Sequence, residues 1–272
     1  MKSDISVARC ALHFWEEPCI SGESGSGAIF FSGCNLKCIY CQNYEISTGG
    51  RGKTVSIDRL SEMMTELEKQ GANNINLVTP THYVPSVTKA ISMARDKGLG
   101  IPIVYNTSGY ETEENIERLS GFVDVYLPDC KYAFSKSGKE LSCAEDYPDI
   151  SVKAIGKMLE QVGDASFNEK GIMEKGVIVR HLVLPGRTKE SMEVLKVLFS
   201  QFKNRIAYSI MSQYTPLAGV RERAPFLARR ITKREYDKVV GYALELGIEN
   251  GFTQDMRTAS ESFIPDFDET GV

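Results

Sequence analysis

Short apolar runs recur along this chain, and polar residues or glycine and proline follow most of them. The runs are rich in valine and isoleucine, and most lack the alternation of apolar and polar residues that marks a half-exposed strand. Continuous apolar runs are typical of parallel sheets, because both faces of such a sheet are covered. Strands are predicted on this pattern at residues 28–31, 74–78, 101–105, 123–127, 177–184 and 206–211.

Between these runs, apolar residues recur at the three- and four-residue spacing of an amphipathic helix. The clearest case covers residues 57–67, with Ser56 before it as a predicted N-cap. Helices are predicted at residues 57–67, 84–97, 112–119, 152–162, 192–202 and 236–244. The chain therefore alternates strand and helix along most of its length.

Repeated strand–helix units predict parallel strands joined by right-handed crossovers, in either a doubly wound sheet or a barrel. Polar residues concentrate just after the strands, which favours a barrel, because βα barrels carry their sites at the carboxyl ends of the strands. We expect an α/β fold of one domain, a partial (βα)6 TIM-type barrel. Its parts are an N-terminal extension (1–24), the barrel core (25–215) and a C-terminal helical segment (216–272), with residues 131–147 as a long loop over the barrel mouth.

Composition excludes several classes of protein. The 272 residues carry a net charge of −4 and show no general basic character, which argues against a nucleic-acid partner. The one basic stretch, residues 221–238, is interrupted by acidic residues and is expected to be a solvated approach to a helix. No apolar run is long enough to span a membrane. Residues 1–5 do not resemble a secretion leader, so we expect a cytoplasmic protein.

Three cysteines, Cys34, Cys38 and Cys41, follow the first predicted strand at the spacing Cys-x3-Cys-x2-Cys. Three thiolates in so short a loop can hold three corners of an iron–sulfur cube and leave the fourth iron without a protein ligand. Zinc would need a fourth ligand at short spacing, and the three histidines of the chain are widely separated. The pattern favours an open [4Fe–4S] cluster, and the odd total of seven cysteines fits a reducing compartment.

This loop, with the aromatic Tyr40 before its third cysteine, resembles that of the radical S-adenosylmethionine (SAM) superfamily. Further runs resemble the group related to pyruvate formate-lyase activating enzymes: His13-Phe14-Trp15-Glu16-Glu17-Pro18, Val78-Thr79-Pro80-Thr81-His82-Tyr83, Tyr105-Asn106-Thr107-Ser108-Gly109-Tyr110, Tyr126-Leu127-Pro128-Asp129-Cys130-Lys131-Tyr132 and Arg180-His181-Leu182-Val183-Leu184-Pro185-Gly186. The similarity covers nearly the whole chain. It implies that the open iron chelates SAM and that reductive cleavage of SAM yields a 5′-deoxyadenosyl radical, which abstracts a hydrogen atom.

The resemblance also implies which residues contact SAM. They are Tyr40, Thr79, Pro80, Thr81, Asn106, Thr107, Ser108, Asp129 and Lys131. At residues 79–81 relatives carry a Gly-Gly-Glu-like run that holds the methionine amino group, so only backbone carbonyls or a threonine hydroxyl can take this role here. An ordinary strand-ending turn is the alternative. Residues 106–108 match an Asp-Thr-Asn-Gly run close to SAM in relatives, and helix capping is the alternative there.

Catalytic roles are expected for Lys131, Asp129 and His181. In extended backbone, alternate side chains share a face, so Asp129 and Lys131 point the same way. A buried lysine needs anions, which Asp129 and the SAM carboxylate would provide, whereas an internal salt bridge is the alternative. His181 is similar to a position near substrate or SAM in relatives; a packed, hydrogen-bonded histidine is the other interpretation.

One absence narrows the expectation. Residues 42–73 contain no cysteine, so the ferredoxin-like insertion of many glycyl-radical activating enzymes is missing. We therefore expect one cluster and an external electron donor, a reduced flavodoxin or ferredoxin. The adjacent carboxylates Glu16 and Glu17 are expected to be solvated.

The resemblance implies hydrogen abstraction by a radical SAM oxidoreductase, as in glycyl-radical enzyme activation. Two alternatives are radical modification of a small metabolite or peptide, and an iron–sulfur redox sensor without turnover. Formation of 5′-deoxyadenosine from SAM separates an enzyme from a sensor.

Overall fold

A computed structural model describes residues 4–217, 219–254 and 265–272. Its strands are β1 (Ile5–His13), β2 (Ser26–Phe31), β3 (Lys53–Val55), β4 (Ile75–Val78), β5 (Ile103–Thr107), β6 (Val125–Pro128), β7 (Ser166–Phe167), β8 (Met173–Leu182), β9 (Ala207–Met211) and β10 (Gly251–Thr253). Its α-helices are α1 (Pro18–Ser21), α2 (Tyr44–Ser47), α3 (Ile57–Lys69), α4 (Val84–Asp96), α5 (Glu113–Arg118), α6 (Ser135–Ser142), α7 (Tyr147–Val162), α8 (Thr188–Phe202), α9 (Val220–Arg223) and α10 (Lys233–Leu246). Short 3-10 turns cover Thr81–Tyr83, Lys203–Arg205 and Pro225–Ala228.

Six parallel strands form the centre of the sheet, in the order β2, β4, β5, β6, β8, β9. They overlap the six predicted strands, and the predicted α/β fold with a parallel sheet is confirmed. β10 extends the sheet in parallel beyond β9, while β1 and β3 extend it antiparallel beyond β2. β3 and β10 end the strand order and are not paired with each other among the described residues, so the barrel is open.

The segments that flank the predicted core both contribute strands to this sheet. β1 belongs to residues 1–24 and β10 to residues 216–272. β1 pairs with β2 through most of its length, from Val7 opposite Phe31 to His13 opposite Ser26. The division of the chain at residues 24 and 215 stays a prediction. Strands β1 and β10, which extend the sheet on its two sides, lie outside the predicted core of residues 25–215.

The side chains on the inner face of the sheet pack against helix α1. Val104, Val125 and Ile178 form a cluster with Cys19 and Ile20 of α1. His13 pairs with the first residue of β2, so the chain that follows β1 enters the barrel at the amino ends of the parallel strands. Helix α1 therefore closes the barrel interior at the amino ends of the parallel strands, and open space is left at their carboxyl ends.

The prediction of a long loop at residues 131–147 is wrong, because α6 forms within it. The buried positions of α6 are Ser137, Gly138, Leu141 and Ser142. Only one of them is a large apolar residue, and hydrophobic periodicity does not detect a helix of this kind. Polar contacts hold it instead: the Ser137 hydroxyl donates to Glu190 Oε2 in α8 at 2.8 Å.

Candidate active site at the carboxyl ends of the strands

A cavity of about 260 Å³ lies inside the barrel, at the carboxyl ends of the parallel strands. The loop between β2 and α2, residues 32–43 and hereafter the cluster loop, forms one wall. Residues that follow β4, β5 and β6 form another wall, and Glu16 and Arg180 reach it from inside the barrel. Large apolar side chains, including Phe30, Val78, Leu182 and Met211, complete the lining.

All three cysteines of the cluster loop border this cavity. Each sulfur has a neighbouring hydrogen-bond group: Leu36 N lies 3.4 Å from Cys34 Sγ, Ser142 Oγ 2.9 Å from Cys38 Sγ, and Ser47 Oγ 3.4 Å from Cys41 Sγ. No group of three His, Cys, Asp or Glu side chains among the described residues is arranged to hold a single metal ion. Three thiolates that border one cavity are a suitable donor set for an iron–sulfur cube, in which each cysteine binds a different iron.

A chain of buried hydroxyl groups leads to one of these sulfurs. Tyr40 Oη lies 2.6 Å from Tyr132 Oη, which lies 2.6 Å from Ser142 Oγ, and the Ser142 hydroxyl donates to Cys38. A thiolate only accepts, so with Cys38 deprotonated the donors run from Tyr40 through Tyr132 and Ser142. Tyr40 thus borders the cavity and also supports a predicted metal ligand from within the same loop.

Asp129 and Lys131 form an ion pair at the cavity wall, as the alternation along the strand predicts. Burial is the largest single effect and opposes the charge of Lys131, but Asp129, together with Cys38 and Tyr147, outweighs it and holds the pKa of the amine well above its ordinary value. Gly109 allows this wall to form: its φ is +77°, and a Cβ there would lie 2.0 Å from Asp129 O. The Tyr147 hydroxyl, 2.8 Å from Asp129 O, accepts from the Lys131 amide at 3.1 Å and fixes the same segment.

Residues 79–81 divide between the cavity and the protein behind it. Thr79 borders the cavity with a φ of 59°, in a left-handed conformation that costs a β-branched residue about 1–3 kcal/mol. Pro80 and Thr81 are not part of the lining. The Thr81 hydroxyl donates instead to Glu111 Oε1 at 2.6 Å. Of the three, Thr79 is the residue placed to meet a ligand.

Residues 106–108 all border the cavity. Asn106 Nδ2 donates to Glu16 Oε1 at 3.5 Å, and the Thr107 hydroxyl donates to Glu111 Oε1 at 2.6 Å. Burial raises the pKa of Glu111, although hydrogen bonds from Thr107, Thr81 and Tyr105 oppose the shift. Glu111 was not found from the sequence, since a single glutamate after a strand carries no pattern. It joins the ends of β4 and β5 behind the cavity.

Glu16 and Glu17 are buried inside the barrel, and the prediction that they are solvated is wrong. Their side chains are 9% and 6% exposed, and both pair with Arg180 of β8. Arg180 Nε donates to Glu17 Oε1 at 2.8 Å. Burial is the largest single effect and opposes the charge of Glu17, but the charge and hydrogen bonds of Arg180, with a hydrogen bond from Ser209, together hold the pKa of this carboxyl below its ordinary value. The two carboxylates likewise hold the pKa of Arg180 well above its usual range, against the effect of burial.

His181 lies outside the cavity. Val177 and Val179 on the same strand pack into the main core with the helices, and alternation places His181 on their side of the sheet. His181 Nδ1 donates to Cys130 O at 2.7 Å, since a carbonyl only accepts, and Nε2 has no partner among the described residues. Burial lowers the pKa of His181 to about 4, so the ring is neutral at neutral pH. Arg180, one residue earlier, is the side chain that reaches the cavity.

Comparison with known proteins gives concordant matches. Residues 28–198, more than half of the chain, match the family model of the radical SAM superfamily. The uncharacterized protein MJ0674 of Methanocaldococcus jannaschii is 32% identical over 232 residues, which are 82% of this chain and 63% of that protein. The putative glycyl-radical enzyme activating enzyme MJ1227 of the same organism is 28% identical over 137 residues, 49% of this chain and 54% of that protein.

A solved structure agrees with the fold. SuiB of Streptococcus suis, bound to SAM, superposes with a TM-score of 0.57 at 15% identity, covering 86% of this chain and 52% of that chain. The chain thus spans less than two thirds of the length of each of these three proteins. No helix in the described part of the chain has the length and apolar character needed to cross a membrane.

The superfamily that this model defines uses a [4Fe–4S] cluster and SAM, which confirms the predicted cofactors. The arrangement of the three cysteines suits such a cluster. The chain belongs to the radical SAM superfamily.

Proposed function

We propose that this protein is an enzyme that cleaves SAM reductively and abstracts a hydrogen atom from a glycine of a partner protein. The observation that carries the proposal is that the three cysteines and the Asp129–Lys131 pair border one cavity. The glycine target is supported by the similarity to the putative activating enzyme MJ1227. Reduced flavodoxin or ferredoxin would supply the electron.

Cys34, Cys38 and Cys41 would hold the [4Fe–4S] cluster, and Thr79, Asn106, Ser108 and Lys131 would contact SAM. When bound, these cofactors supply the cleavage of SAM to methionine and a 5′-deoxyadenosyl radical. Lys131 offers a cation to the SAM carboxylate, and Asp129 keeps Lys131 charged and oriented. The apolar residues of the lining exclude water from the reacting carbon.

The experiment is anaerobic. Cluster-reconstituted protein is incubated with SAM and reduced flavodoxin, and 5′-deoxyadenosine is quantified by chromatography. We expect 5′-deoxyadenosine from the wild type and from Cys143→Ala, which removes an exposed thiol outside the cavity. We expect none above background from Cys38→Ala.

Equal yields from Cys38→Ala and the wild type would reject cleavage at this site. The glycine target is tested separately, by electron paramagnetic resonance of a glycyl-radical enzyme incubated with the active protein. Formation of 5′-deoxyadenosine without a glycyl radical in such partners would point to a small metabolite or a peptide as the substrate.

A further inference from the structure

The inner end of the cavity carries an excess negative charge. The ionised side chains that border the cavity or lie directly beneath it are Glu16, Glu17, Asp129, Lys131 and Arg180. Three carboxylates face two cations, which leaves one negative charge. Lys131 neutralises Asp129 at the outer wall, so the excess belongs to the pair of glutamates that share Arg180. His13, which also borders the cavity, does not compensate, because burial lowers its pKa.

A purely structural ion pair does not explain this arrangement. Glu17 alone would neutralise Arg180, through contacts of 2.8 Å and 2.5 Å to both of its oxygens. A second carboxylate in a dry site has a desolvation cost of several kcal/mol, and here it shares one guanidinium with Glu17. Glu16 is this second carboxylate, and it borders the cavity, whereas Glu17 does not.

The asparagine behind Glu16 has only one of its two polar atoms paired. Asn76 is fully buried, and its Nδ2 donates to Glu16 Oε1 at 2.7 Å. Its Oδ1 has no hydrogen-bond partner in the described part of the chain. The amide cannot be turned around, because Oδ1 would then face a carboxylate that only accepts. Glu16 is therefore the acceptor that the inner end presents to the cavity, while Asn76 lies behind it, outside the lining, with Oδ1 unpaired.

We propose that the inner end of the cavity, where Glu16 and Arg180 border it, binds an ammonium or guanidinium group of the substrate at the Glu16 carboxylate. Such a group supplies the missing positive charge and several N–H donors at once. Arg180 and Glu17 hold Glu16 in place. The inference rests on the proposed function and narrows its substrate: for a glycine of a partner protein, the cation would be a lysine or arginine side chain near that glycine.

The test measures binding without turnover, so it is independent of the assay for 5′-deoxyadenosine. Cluster-loaded protein is saturated with SAM, kept unreduced, and titrated with n-butylammonium or with 1-butanol in a calorimeter. A charge-assisted hydrogen bond contributes about 1.5–3 kcal/mol, so we expect n-butylammonium to bind at least about tenfold more tightly than 1-butanol. Glu16→Gln should abolish this preference and leave the SAM dissociation constant within about twofold of the wild type.

Glu45→Gln is the matched control, because Glu45 is also a paired glutamate but lies outside the cavity lining. It should keep the full preference. If Glu16→Gln does not fold, Asn76→Leu removes the amide that holds Glu16 Oε1, with a side chain of similar shape, and should lower the preference about threefold.

Three results would overturn the proposal. The first is equal affinity for the amine and the alcohol in the wild type, including the absence of measurable binding by either. The second is an undiminished preference in the variant that folds. The third is loss of SAM affinity in Glu16→Gln, which would assign the carboxylate to the sulfonium or ribose of SAM.

Discussion

The two ends of the cavity are built in opposite ways. The outer end, formed by the cluster loop and the Asp129–Lys131 pair, uses residues grouped in two short segments of the chain, and the side chains of this pair are 25% and 18% exposed. The inner end, Glu16 and Arg180 with Glu17 and Asn76 behind them, joins side chains up to 164 residues apart, and its three charged side chains are at most 11% exposed.

This difference predicts that substitutions at the two ends affect different properties, cofactor binding at one end and stability at the other. A loop can lose one side chain and keep its backbone, so changes at the outer end should affect cofactor binding more than stability. The inner end lies between strands on different sides of the barrel, and its charges stabilise one another in a dry environment. Changes there should affect stability first.

The largest effect is expected from Arg180→Met, which leaves two buried carboxylates without a cation. Removing one partner of a buried ion pair costs about 3–5 kcal/mol, and we expect a loss of this size in the free energy of unfolding, measured with urea on cluster-free protein. Arg59→Met is the control, because Arg59 also pairs with two glutamates but on the surface of α3. Its loss should not exceed about 1 kcal/mol, and similar losses in both variants would contradict the contrast between the ends.

Lys131→Ala should act on SAM and not on iron. A charge-assisted hydrogen bond of about 1.5–3 kcal/mol corresponds to SAM binding weaker by about 10- to 100-fold, measured by equilibrium dialysis of the cluster-loaded protein. The iron content should stay at the wild-type level, since the cysteines are unchanged. Loss of iron from this variant would instead make Lys131 a support of the cluster loop.

The His181→Asn variant tests whether His181 contributes to the stability of the protein or takes part in the reaction. The folded pKa of His181 is about 4, below the ordinary value of 6.5, so the unfolded chain binds the proton first as the pH falls. The contribution of neutral His181 is complete above pH 6.5 and is lost towards pH 4. Between pH 6.5 and 5 the wild type should lose about 2 kcal/mol that the variant does not lose, as followed by urea unfolding at each pH. A stable variant that forms no 5′-deoxyadenosine would show that His181 acts in the reaction.

The smallest effect is expected from Ser142→Ala. This change removes a hydrogen bond to Cys38 Sγ, and hydrogen bonds to the sulfurs raise the reduction potential of an iron–sulfur cluster. A bond of about 1 kcal/mol corresponds to a potential lower by up to about 40 mV for a one-electron couple, measured by a redox titration with electron paramagnetic resonance. Ser137→Ala on the same helix, which contacts Glu190, should leave the potential unchanged.

The sequence indicates the outer end well because local rules govern it. Apolar runs mark the parallel strands, and alternation predicts that Asp129 and Lys131 share a side. The inner end could not be predicted in this way, because no local pattern around Glu16 and Glu17 indicates that they pair with Arg180 across the barrel. One signal was available. Alternation along the strand places Arg180 and His181 on opposite faces of the sheet, and a charged side chain on the inner face of a buried strand requires a partner of opposite charge. Helix α6 was missed because serine and glycine form most of its buried face.

The SAM dissociation constants of Glu16→Gln and Lys131→Ala, determined side by side on cluster-loaded protein, test the division of the cavity most directly. The account predicts a constant within about twofold of the wild type for Glu16→Gln and one raised by about 10- to 100-fold for Lys131→Ala. Equal weakening in both variants would contradict it, because the inner end would then belong to SAM and not to the substrate.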